Sequence, residues 1–511
     1  MITLEWHDVR TPLFFSFWVV FIVIVKIVFH ASEKLAIVFP DSALLIVCGF
    51  SVGTILDWFL PHDIYLDPDL FFLYLLPPIA LEAGYFMPNE AFVRNIFTIL
   101  TYAVIGTLWN IASIGGILYL FSSFYTMPIS FLDLMLFSTL ISAVDPVAVL
   151  SVFTEVKVNE LLYICVFGES ILNDAVTIVL YHALSDMAVI GSENLVASDL
   201  VRVFGSFILV ALGGVLFGTL AAIVTGLTTK MAGTLSVVQP LICLLFPYLA
   251  YLLAEMFHYS GILAIVFCGL LMKPYVETNM SDESRITVKY FLKTIASQSE
   301  AMIFIFLGLS SFSRNHSWDI VFAVVTVFSC LFCRFVGVYA LSYICNKRRL
   351  EKIGFLDQFI ISYGGLRGAI AYGLAMTLDK DAIPAKDMLV STTVVVICFT
   401  VFIQGTTIKP LVKFLRVKTQ ESSQNIITSF IFINAQDDLL AGIEAIAGIK
   451  GKHYWRRRVS EVDRDYVQPF LTVKSSSRGE QLVEKYDELS AMVDKERQQS
   501  NRKANRQSSL I

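Results

Sequence analysis

The sequence predicts an all-α protein that crosses a membrane about thirteen times and ends in a helical tail outside the membrane. Its 511 residues are 56% hydrophobic and only 16% charged, whereas soluble domains have about 25% charged and about 45–50% apolar residues. The charge is also unevenly divided, because residues 411–511 carry 17 basic and 13 acidic side chains and residues 1–410 carry 21 and 30. The first four-fifths of the chain therefore suits lipid, and the last fifth suits water.

The membrane part consists of thirteen apolar runs. A helix needs about 20 apolar residues to cross about 30 Å of hydrocarbon. Runs of about this length lie at 13–29, 36–60, 69–86, 92–121, 131–153, 160–184, 201–227, 235–256, 260–274, 287–311, 318–344, 355–377 and 387–410. Because thirteen is odd, we expect the two termini on opposite sides of the membrane.

The basic residues of the loops predict which side each terminus occupies. Lys and Arg are enriched in cytoplasmic loops, and here they concentrate in alternate loops. Four lie in 347–352, for example, whereas 61–68 and 122–130 have none. This pattern places the N-terminus outside and the tail in the cytoplasm. Asn315 begins an Asn-His-Ser sequon in a loop that falls outside, so it is a glycosylation candidate.

Eight ionisable side chains lie near the middle of the predicted spans. Each charge costs about 2.5–3.5 kcal/mol at the bilayer centre. They are Glu82, Asp145, Glu169, Asp174, Glu255, Glu300, Arg334 and Arg367. Six acids against two bases favour a pathway for cations or protons, which would complete the charge balance. The alternative is that several acids are protonated or hydrogen-bonded and only hold helices together.

Segment 169–174 is the strongest candidate for an ion site. Glu169 and Asn173 are four residues apart and share a helix face, and Asp174 lies about 100° further round the helix. A carboxylate at this depth could exchange a proton for a metal cation near neutral pH. Since Asn173 forms hydrogen bonds without charge, we expect the site to hold one negative charge and the exchange to be electroneutral.

Two of the predicted spans are interrupted. Pro146 removes a backbone donor and disfavours helical geometry at Asp145, and the Gly-rich segment 363–369 interrupts a second span around Arg367. Secondary transporters built from inverted repeats use such broken helices to line cavities and to meet ions at free helix ends. We therefore expect each of the two charges to lie near a helix end. A simple kink at Pro146 is the alternative.

Several of these segments resemble a known family. AVDPVAVLSVF, VFGESILNDAVTIVLYH, LLPPIALEAGYF and YGGLRGAIAYGLA are similar to the eukaryotic sodium/proton exchangers of the monovalent cation:proton antiporter superfamily, and to its plasma-membrane-type members in particular. The resemblance runs from about residue 12 to about residue 470. It implies a dimer with the fold of the NhaA and NapA antiporters, in which a core domain moves against a dimerisation domain like an elevator.

The resemblance gives roles to individual residues. Asn173 and Asp174 match the family's ion site, where Asp174 alternately holds Na⁺ and H⁺, and Asp145 matches the acidic residue of the first crossover. Five residues match positions that support the moving core, namely Glu169, Arg334, Arg367, Glu300 and Ser170. Of these, Glu169 and Arg334 match a pair that forms a bridge. The positions matched to amiloride-type inhibitor binding are Phe72, Leu73, Pro77, Pro78, Glu255, His258 and Gly261. Glu82 stands where relatives often have Asp.

The chain divides into four predicted regions. Residues 1–12 form an extracellular N-terminus, 13–410 the transporter domain, 411–474 a cytoplasmic regulatory region, and 475–511 a polar, partly disordered tail. The three C-terminal residues, Ser-Leu-Ile, could fit a PDZ groove.

The regulatory region contains two predicted binding segments. Helix 424–447 carries an apolar stripe formed by Ile426, Phe430, Ile433, Leu440 and Ile443. The resemblance suggests that this stripe binds a calcineurin B homologous protein, an EF-hand subunit whose groove takes such helices. Packing on the protein's own cytoplasmic face is the alternative. A basic patch that could bind anionic phospholipid follows at Lys452, Arg456, Arg457 and Arg458.

The leading hypothesis is an electroneutral Na⁺/H⁺ antiporter that exchanges one extracellular Na⁺ for one cytosolic H⁺ by alternating access and so regulates intracellular pH and volume. We expect a transporter rather than an enzyme, in the plasma membrane rather than an endosomal one, with no cofactor and no nucleic-acid partner. The sequence has no GxxxxGK[ST] phosphate loop. The alternatives are an electrogenic or K⁺-accepting exchanger and a cation channel, although no TVGYG filter is present. An intramembrane hydrolase would need motifs such as HExxH, which the sequence lacks.

Overall fold

The computed structural model describes residues 6–31, 39–59, 67–190, 197–233, 235–311, 317–347, 349, 352–380, 383–417, 426–448 and 451–473. Within these ranges the ordered elements are helices, and an isolated antiparallel bridge pairs Asp145 with Leu366. The prediction of an all-α protein is confirmed.

The helices are numbered in chain order. They are α1 Trp6–Ala31, α2 Asp41–Phe59, α3 Leu70–Phe86, α4 Asn89–Leu120, α5 Phe131–Ile141, α6 Val147–Val156, α7 Glu160–Ile190, α8 Ala197–Ala232, α9 Val238–Met256, α10 Gly261–Asn279, α11 Asp282–Ser310, α12 Ile320–Asn346, α13 Phe355–Tyr363, α14 Ala369–Met376, α15 Lys386–Phe414, α16 Ile426–Ile446, α17 Lys452–Val462 and α18 Gln468–Leu471. Three of them contain π-helical turns, at Leu70–Leu75 in α3, Thr101–Gly106 in α4 and Thr400–Gln404 in α15. A fourth π-helical turn, Asp463–Val467, joins α17 directly to α18.

The helix lengths fit a multi-pass membrane protein. Among the described residues, eight helices are long and apolar enough to cross a membrane, namely α4, α7, α8, α9, α10, α11, α12 and α15. Shorter apolar helices lie within α1, α2, α3, α5 and α6. The membrane assignment is confirmed, and the number thirteen stays a prediction.

Helix α7 is the most enclosed of the long helices. Every residue from 164 to 181 is buried except Asp174. In the most apolar window of α7, 89% of residues are buried, compared with 17% in α8. α7 packs against α4 and α5. A helix buried on all sides is surrounded by protein, so α7 lies at the centre of the helical packing and α8 offers its surface to lipid.

Both predicted interruptions are present. α5 ends at Ile141 before α6 begins at Val147, and α13 ends at Tyr363 before α14 begins at Ala369. The backbone N–H of Asp145 donates to the carbonyl of Leu366 at 2.9 Å. The two breaks therefore cross each other at the residues that the proline and the glycines indicated, and Pro146 does more than kink one continuous helix.

The chain forms two compact units. The first comprises Met1–Ala222, Cys243–Lys273 and Ile286–Lys418, and the second comprises Ile223–Ile242, Pro274–Arg285 and Thr419–Ile511. In the second unit the amide of Asn279 donates to the carbonyl of Leu471 at 2.8 Å and accepts from the N–H of Val473 at 2.9 Å. The Tyr275 hydroxyl donates to Asp463 at 2.6 Å. The end of the predicted regulatory region is thus hydrogen-bonded to the last turns of α10.

Candidate functional site

The crossing of the two breaks leaves an acidic side chain at the start of a helix. Asp145 accepts a hydrogen bond from the N–H of Val147, the first residue of α6, at 3.0 Å. Helix N-termini carry free N–H groups and partial positive charge. A carboxylate placed here is stabilised by the helix while its second oxygen remains able to meet a ligand.

The basic residue of the second break lies at the opposite kind of helix end. Arg367 is 1% exposed, and its guanidinium lies 3.4 Å from the carbonyl oxygens of Ser142 and Ala143, which follow the last residue of α5. Its backbone N–H donates to the Thr400 hydroxyl at 3.2 Å. A cation at a helix C-terminus complements the partial negative charge there. Both Asp145 and Arg367 therefore lie near helix ends, as predicted from the sequence.

Two side chains of α7 hold the unwound peptide at Val144. The Asn173 side chain accepts a hydrogen bond from the N–H of Val144 at 3.0 Å. The Ser170 hydroxyl donates to the carbonyl of Val144 at 2.5 Å. The Asn173 amide also donates to the Thr107 hydroxyl at 2.5 Å. Since a buried backbone group without a partner is costly, these bonds stabilise the break. Asn173 is therefore committed to the backbone of the crossing, a task that the sequence did not predict for it.

A cavity of about 850 Å³ opens beside the crossing. Its walls come from α3, α6, α7, α10, α11 and the start of α14, all within the first unit. The ionisable groups of carboxylate or ammonium type in its lining are Glu82, Asp145, Asp174, Glu300 and Lys293. Asp174 is half-buried because it faces this cavity, and Asp145 is its charged neighbour.

The cavity contains more acidic groups than the segment 169–174 alone supplies. Its lining holds four carboxyl groups and one lysine. Glu300, predicted as a support residue, is among the carboxyl groups, and so is Glu82, to which no role was assigned. That the ion site at Asn173 and Asp174 holds one negative charge stays a prediction.

Glu169 and Arg334 lie away from the cavity and form a buried ion pair. The two side chains are in direct contact and are 2% and 7% exposed. Arg334 also donates to the carbonyl of Ile361 in α13 at 3.3 Å. The pair thereby joins α7 to α12 and α13, which is the geometry that a bridge within a helical core requires.

Two of the residues matched to inhibitor binding, Phe72 and Leu73, are hydrogen-bonded to tyrosines that the sequence did not single out. The hydroxyl of Tyr251 donates to the carbonyl of Phe72 at 2.7 Å, and that of Tyr248 donates to the carbonyl of Leu73 at 3.1 Å. Glu255 accepts from the N–H of Gly261 at 3.0 Å. His258 has a positive φ of 58°. Pro77 and Pro78 lie in α3, in the helical turn that follows Phe72 and Leu73.

The predicted tail sites are placed only in part. Ile443 is 60% exposed and Leu440 is half-buried on α16, whereas the side chains of Ile426, Phe430 and Ile433 lie outside the described residues. In the basic patch, Arg457 and Arg458 both contact Glu461, at 3.0 and 3.3 Å, and the Lys452 side chain, Asn315 and the C-terminus lie outside the described residues.

Sequence reasoning missed several residues that shape the site. Thr107 and Thr400 follow or begin π-helical turns and hold Asn173 and Arg367. Gly368 lies against Asp145, because a Cβ there would collide with that side chain. π-helical turns are frequent at functional sites, but they cannot be seen in apolar sequence. The described residues contain no cluster of His, Cys, Asp and Glu suited to a resident metal.

Comparison with known proteins identifies the family. The family model for the transmembrane region of sodium/hydrogen exchangers matches residues 19–414. The chain belongs to the sodium/hydrogen exchanger family. It is 44% identical over 480 residues to sodium/hydrogen exchanger 5 of Rattus norvegicus, a match that covers 93% of this chain and 54% of that protein.

Other members and a solved structure agree with this assignment. This exchanger-family chain is 43% identical over 473 residues to the probable Na(+)/H(+) antiporter nhx-9 of Caenorhabditis elegans, covering 92% of this chain and 71% of that protein. Its fold is similar to that of the sodium proton antiporter MjNhaP1 of Methanocaldococcus jannaschii, with a TM-score of 0.60 and 20% identity over 78% of this chain and 97% of that one. The chain spans about half the length of the exchanger 5 relative.

Proposed function

We propose that this protein exchanges Na⁺ for H⁺ across a membrane, with Asp174 as the carboxylate that holds the two ions in turn. The observation that carries the proposal is the position of Asp174, the single non-buried residue in the stretch 164–181, in the wall of a cavity that reaches the helix crossing. A carboxylate in the wall of a cavity can take up and release ions from solution. A carboxylate that is paired with a buried basic side chain cannot.

The cavity supplies the rest of a cation site. Asp145 lines the same cavity as Asp174, and its carboxylate would add a second negative charge beside a bound cation. A deprotonated Asp174 would bind Na⁺, and a protonated Asp174 would not. Binding of one ion therefore excludes the other, which is the requirement for obligatory exchange.

The cavity is lined mainly by the C-terminal half of α3 and the N-terminal half of α7, with α11 contributing residues from both of its halves. The predicted topology places those ends of α3 and α7 on the cytoplasmic side. We therefore propose that this conformation faces the cytoplasm. Transport then requires a second conformation in which Asp174 meets the outside, and a core moving against a dimerisation domain of a homodimer would provide it.

Two coupling ratios are open to this site. The single Asp174 beside neutral Asn173 supports an electroneutral exchange of one Na⁺ for one H⁺. The second candidate is an electrogenic or K⁺-accepting exchanger. Asp145 is a second acid close to Asp174, and the electrogenic form is favoured because a second carboxylate could carry a second proton.

Partners and location follow from the resemblance. We propose the plasma membrane, with the N-terminus outside and the tail in the cytoplasm. We further propose that an EF-hand protein of the calcineurin B homologous type covers 424–447, where Leu439, Ile443 and Ile446 are exposed, and that anionic phospholipid meets the basic patch of α17.

The test is ²²Na⁺ uptake into proteoliposomes containing the full chain, driven by an imposed pH gradient with the membrane potential clamped at several values. We expect uptake that requires the pH gradient and is independent of voltage. Uptake without a pH gradient would contradict exchange. Uptake that follows the voltage would replace the electroneutral proposal with the electrogenic one, and substitution of K⁺ for Na⁺ in the same assay tests selectivity.

A further inference from the structure

A second, smaller cavity shares one wall with the large one. Its volume is about 260 Å³, and its lining comes from α1, the start of α2, α6, α11 and α15 within the first unit. Glu300 and Ser297, one turn apart on α11, line both cavities. Glu300 therefore lies between the space that contains Asp174 and a space that does not.

A lysine of α1 is bonded to this shared wall. The ammonium of Lys26 donates to the Ser297 hydroxyl at 2.6 Å and to the Ser297 carbonyl at 3.2 Å. Lys26 and Glu300 both line the small cavity. Two hydrogen bonds from one ammonium fix the turn of α11 that carries Glu300.

The other basic side chain of the small cavity contacts an acidic side chain, not α11. Lys409 of α15 forms an ion pair with Glu155 at the end of α6, at 2.8 Å. Asp41, in the first turn of α2, is the remaining acid in the lining. The ammonium of Lys26, in contrast, is directed at α11, so its contacts act on Glu300 rather than on the opposite wall.

Lys26 lies near the end of the apolar stretch Ser16–Phe29 of α1. A lysine close to the end of a membrane-spanning helix can extend its ammonium to the membrane–water interface. In this protein the ammonium is instead hydrogen-bonded to Ser297 of α11. The contact therefore joins α1 to the part of α11 that carries Glu300.

We propose that Lys26 is a positioning residue for cation binding: it holds the turn Ser297 to Glu300 so that the Glu300 carboxylate stays between the two cavities, in the lining that it shares with Asp174. The proposal rests on the proposed Na⁺/H⁺ exchange. It predicts that Lys26 sets the apparent affinity for Na⁺ without touching the ion.

The test measures initial ²²Na⁺ uptake in proteoliposomes as a function of Na⁺ concentration for Lys26→Met, which keeps an unbranched side chain one atom shorter and removes the charge and the donors. We expect the KM for Na⁺ to rise about tenfold, the equivalent of losing ~1.4 kcal/mol from one charged hydrogen bond, with the maximal rate retained. Lys26→Arg should restore the affinity.

Two further variants separate positioning from general damage. Lys413→Met removes an exposed lysine of α15 that lines neither cavity and should leave the KM unchanged. Ser297→Ala removes only the hydroxyl acceptor, so it should raise the KM by less than Lys26→Met. The double variant should equal Lys26→Met, because the two changes remove the same contact.

The outcomes distinguish the two proposals. If the wild type shows no pH-gradient-driven uptake, the exchange function itself fails. If the wild type exchanges and Lys26→Met has the wild-type KM, or if Lys26→Met and Ser297→Ala add fully, the positioning role fails. Should Lys26→Met not fold, a wild-type KM in Ser297→Ala would overturn the proposal and a raised KM would support it.

Discussion

Two carboxylates of α7, five residues apart, have opposite surroundings. Glu169 is 2% exposed and contacts Arg334, which also donates to the carbonyl of Ile361. Asp174 is the residue at which the buried surface of α7 opens, and it faces the large cavity with Asp145 as its charged neighbour. Glu169 is paired with a basic side chain of the protein, whereas Asp174 is accessible to ions and water that enter the cavity.

The difference separates two uses of an acid within a membrane. A buried carboxylate with a permanent partner holds helices together, and its loss leaves an uncompensated charge behind. A carboxylate in a cavity wall takes its counter-charge from whatever enters, so its loss removes binding and spares the packing. The cost of a charge within a span is the same for both residues, and in the sequence only the resemblance to the exchangers gave them different roles.

The largest effect is expected from Asp174→Asn. The amide has the size of the carboxylate but cannot release a proton to take up a cation, so pH-gradient-driven ²²Na⁺ uptake should be lost while the melting temperature stays near the wild-type value. Asp133→Asn, in the first turn of α5 and outside both cavity linings, is the matched control. Uptake at the wild-type rate in Asp174→Asn would move the ion site elsewhere.

A large loss of stability, rather than of ion binding, is expected from Arg334→Ala. It strands the buried Glu169, which costs about 3–5 kcal/mol when one partner of a buried pair is removed. The melting temperature in detergent should fall clearly. The double change Glu169→Leu with Arg334→Met replaces the pair by apolar groups and should recover most of the stability. An unchanged melting temperature in Arg334→Ala would argue against a bridge.

A smaller effect is expected at the crossing itself. A Cβ at Gly368 would overlap the Asp145 side chain, so Gly368→Ala should displace that carboxylate and lower the uptake rate about 10- to 100-fold, as a displacement of about 1 Å does in a preorganised site. Gly116→Ala in α4, where a Cβ meets only open space, should leave uptake unchanged. Equal rates in the two variants would show that the position of Asp145 is unimportant.

The smallest effect is expected at Asp319, which precedes the first residue of the membrane-spanning helix α12, Ile320. Burial raises the pKa of Asp319, but hydrogen bonds from the backbone of Thr126 and Phe322 and from the Thr126 hydroxyl outweigh it and hold the pKa below its usual value. A lowered pKa means that the ionised form stabilises the fold at neutral pH, and that this stabilisation is lost as the pH falls through the ordinary Asp value of about 3.9 and below.

Asp319 also caps the N-terminus of α12. Asp319→Ala should therefore cost about 1 kcal/mol at pH 7, and its difference from the wild type should shrink on acidification below about pH 4. Asp319→Asn, which still accepts a hydrogen bond at the cap, should lose less. A difference between Asp319→Ala and the wild type that does not depend on pH would contradict the assignment.

The sequence predicts those parts of the molecule that depend on local chemistry. Pro146 and the glycines around Arg367 marked the two helix breaks, because proline and glycine act on their own backbone. The cost of buried charge marked Asp145 and Asp174 within apolar spans. The family assignment and the all-helical membrane fold were predicted correctly, while the roles given to individual site residues stay predictions.

Interactions between distant segments could not be read from sequence. Asn173 was interpreted as a neutral neighbour of the ion, but its amide is bonded to Val144 and Thr107, 29 and 66 residues away. Lys26 and Ser297 are 271 residues apart. The number of carboxylates in one cavity likewise depends on how α3, α6, α7 and α11 are arranged, and helical periodicity carries no information on that arrangement.

The central claim is that Na⁺ and H⁺ compete for Asp174, and the most direct test is Na⁺-dependent thermal stabilisation of the purified full chain in detergent over a range of pH. A ligand at 100 times its Kd stabilises by about 2.7 kcal/mol. We expect Na⁺ to raise the melting temperature of the wild type and of Asp133→Asn, by less as the pH falls because protons compete, and to have no effect on Asp174→Asn. A wild-type Na⁺-dependent shift in Asp174→Asn would contradict the claim.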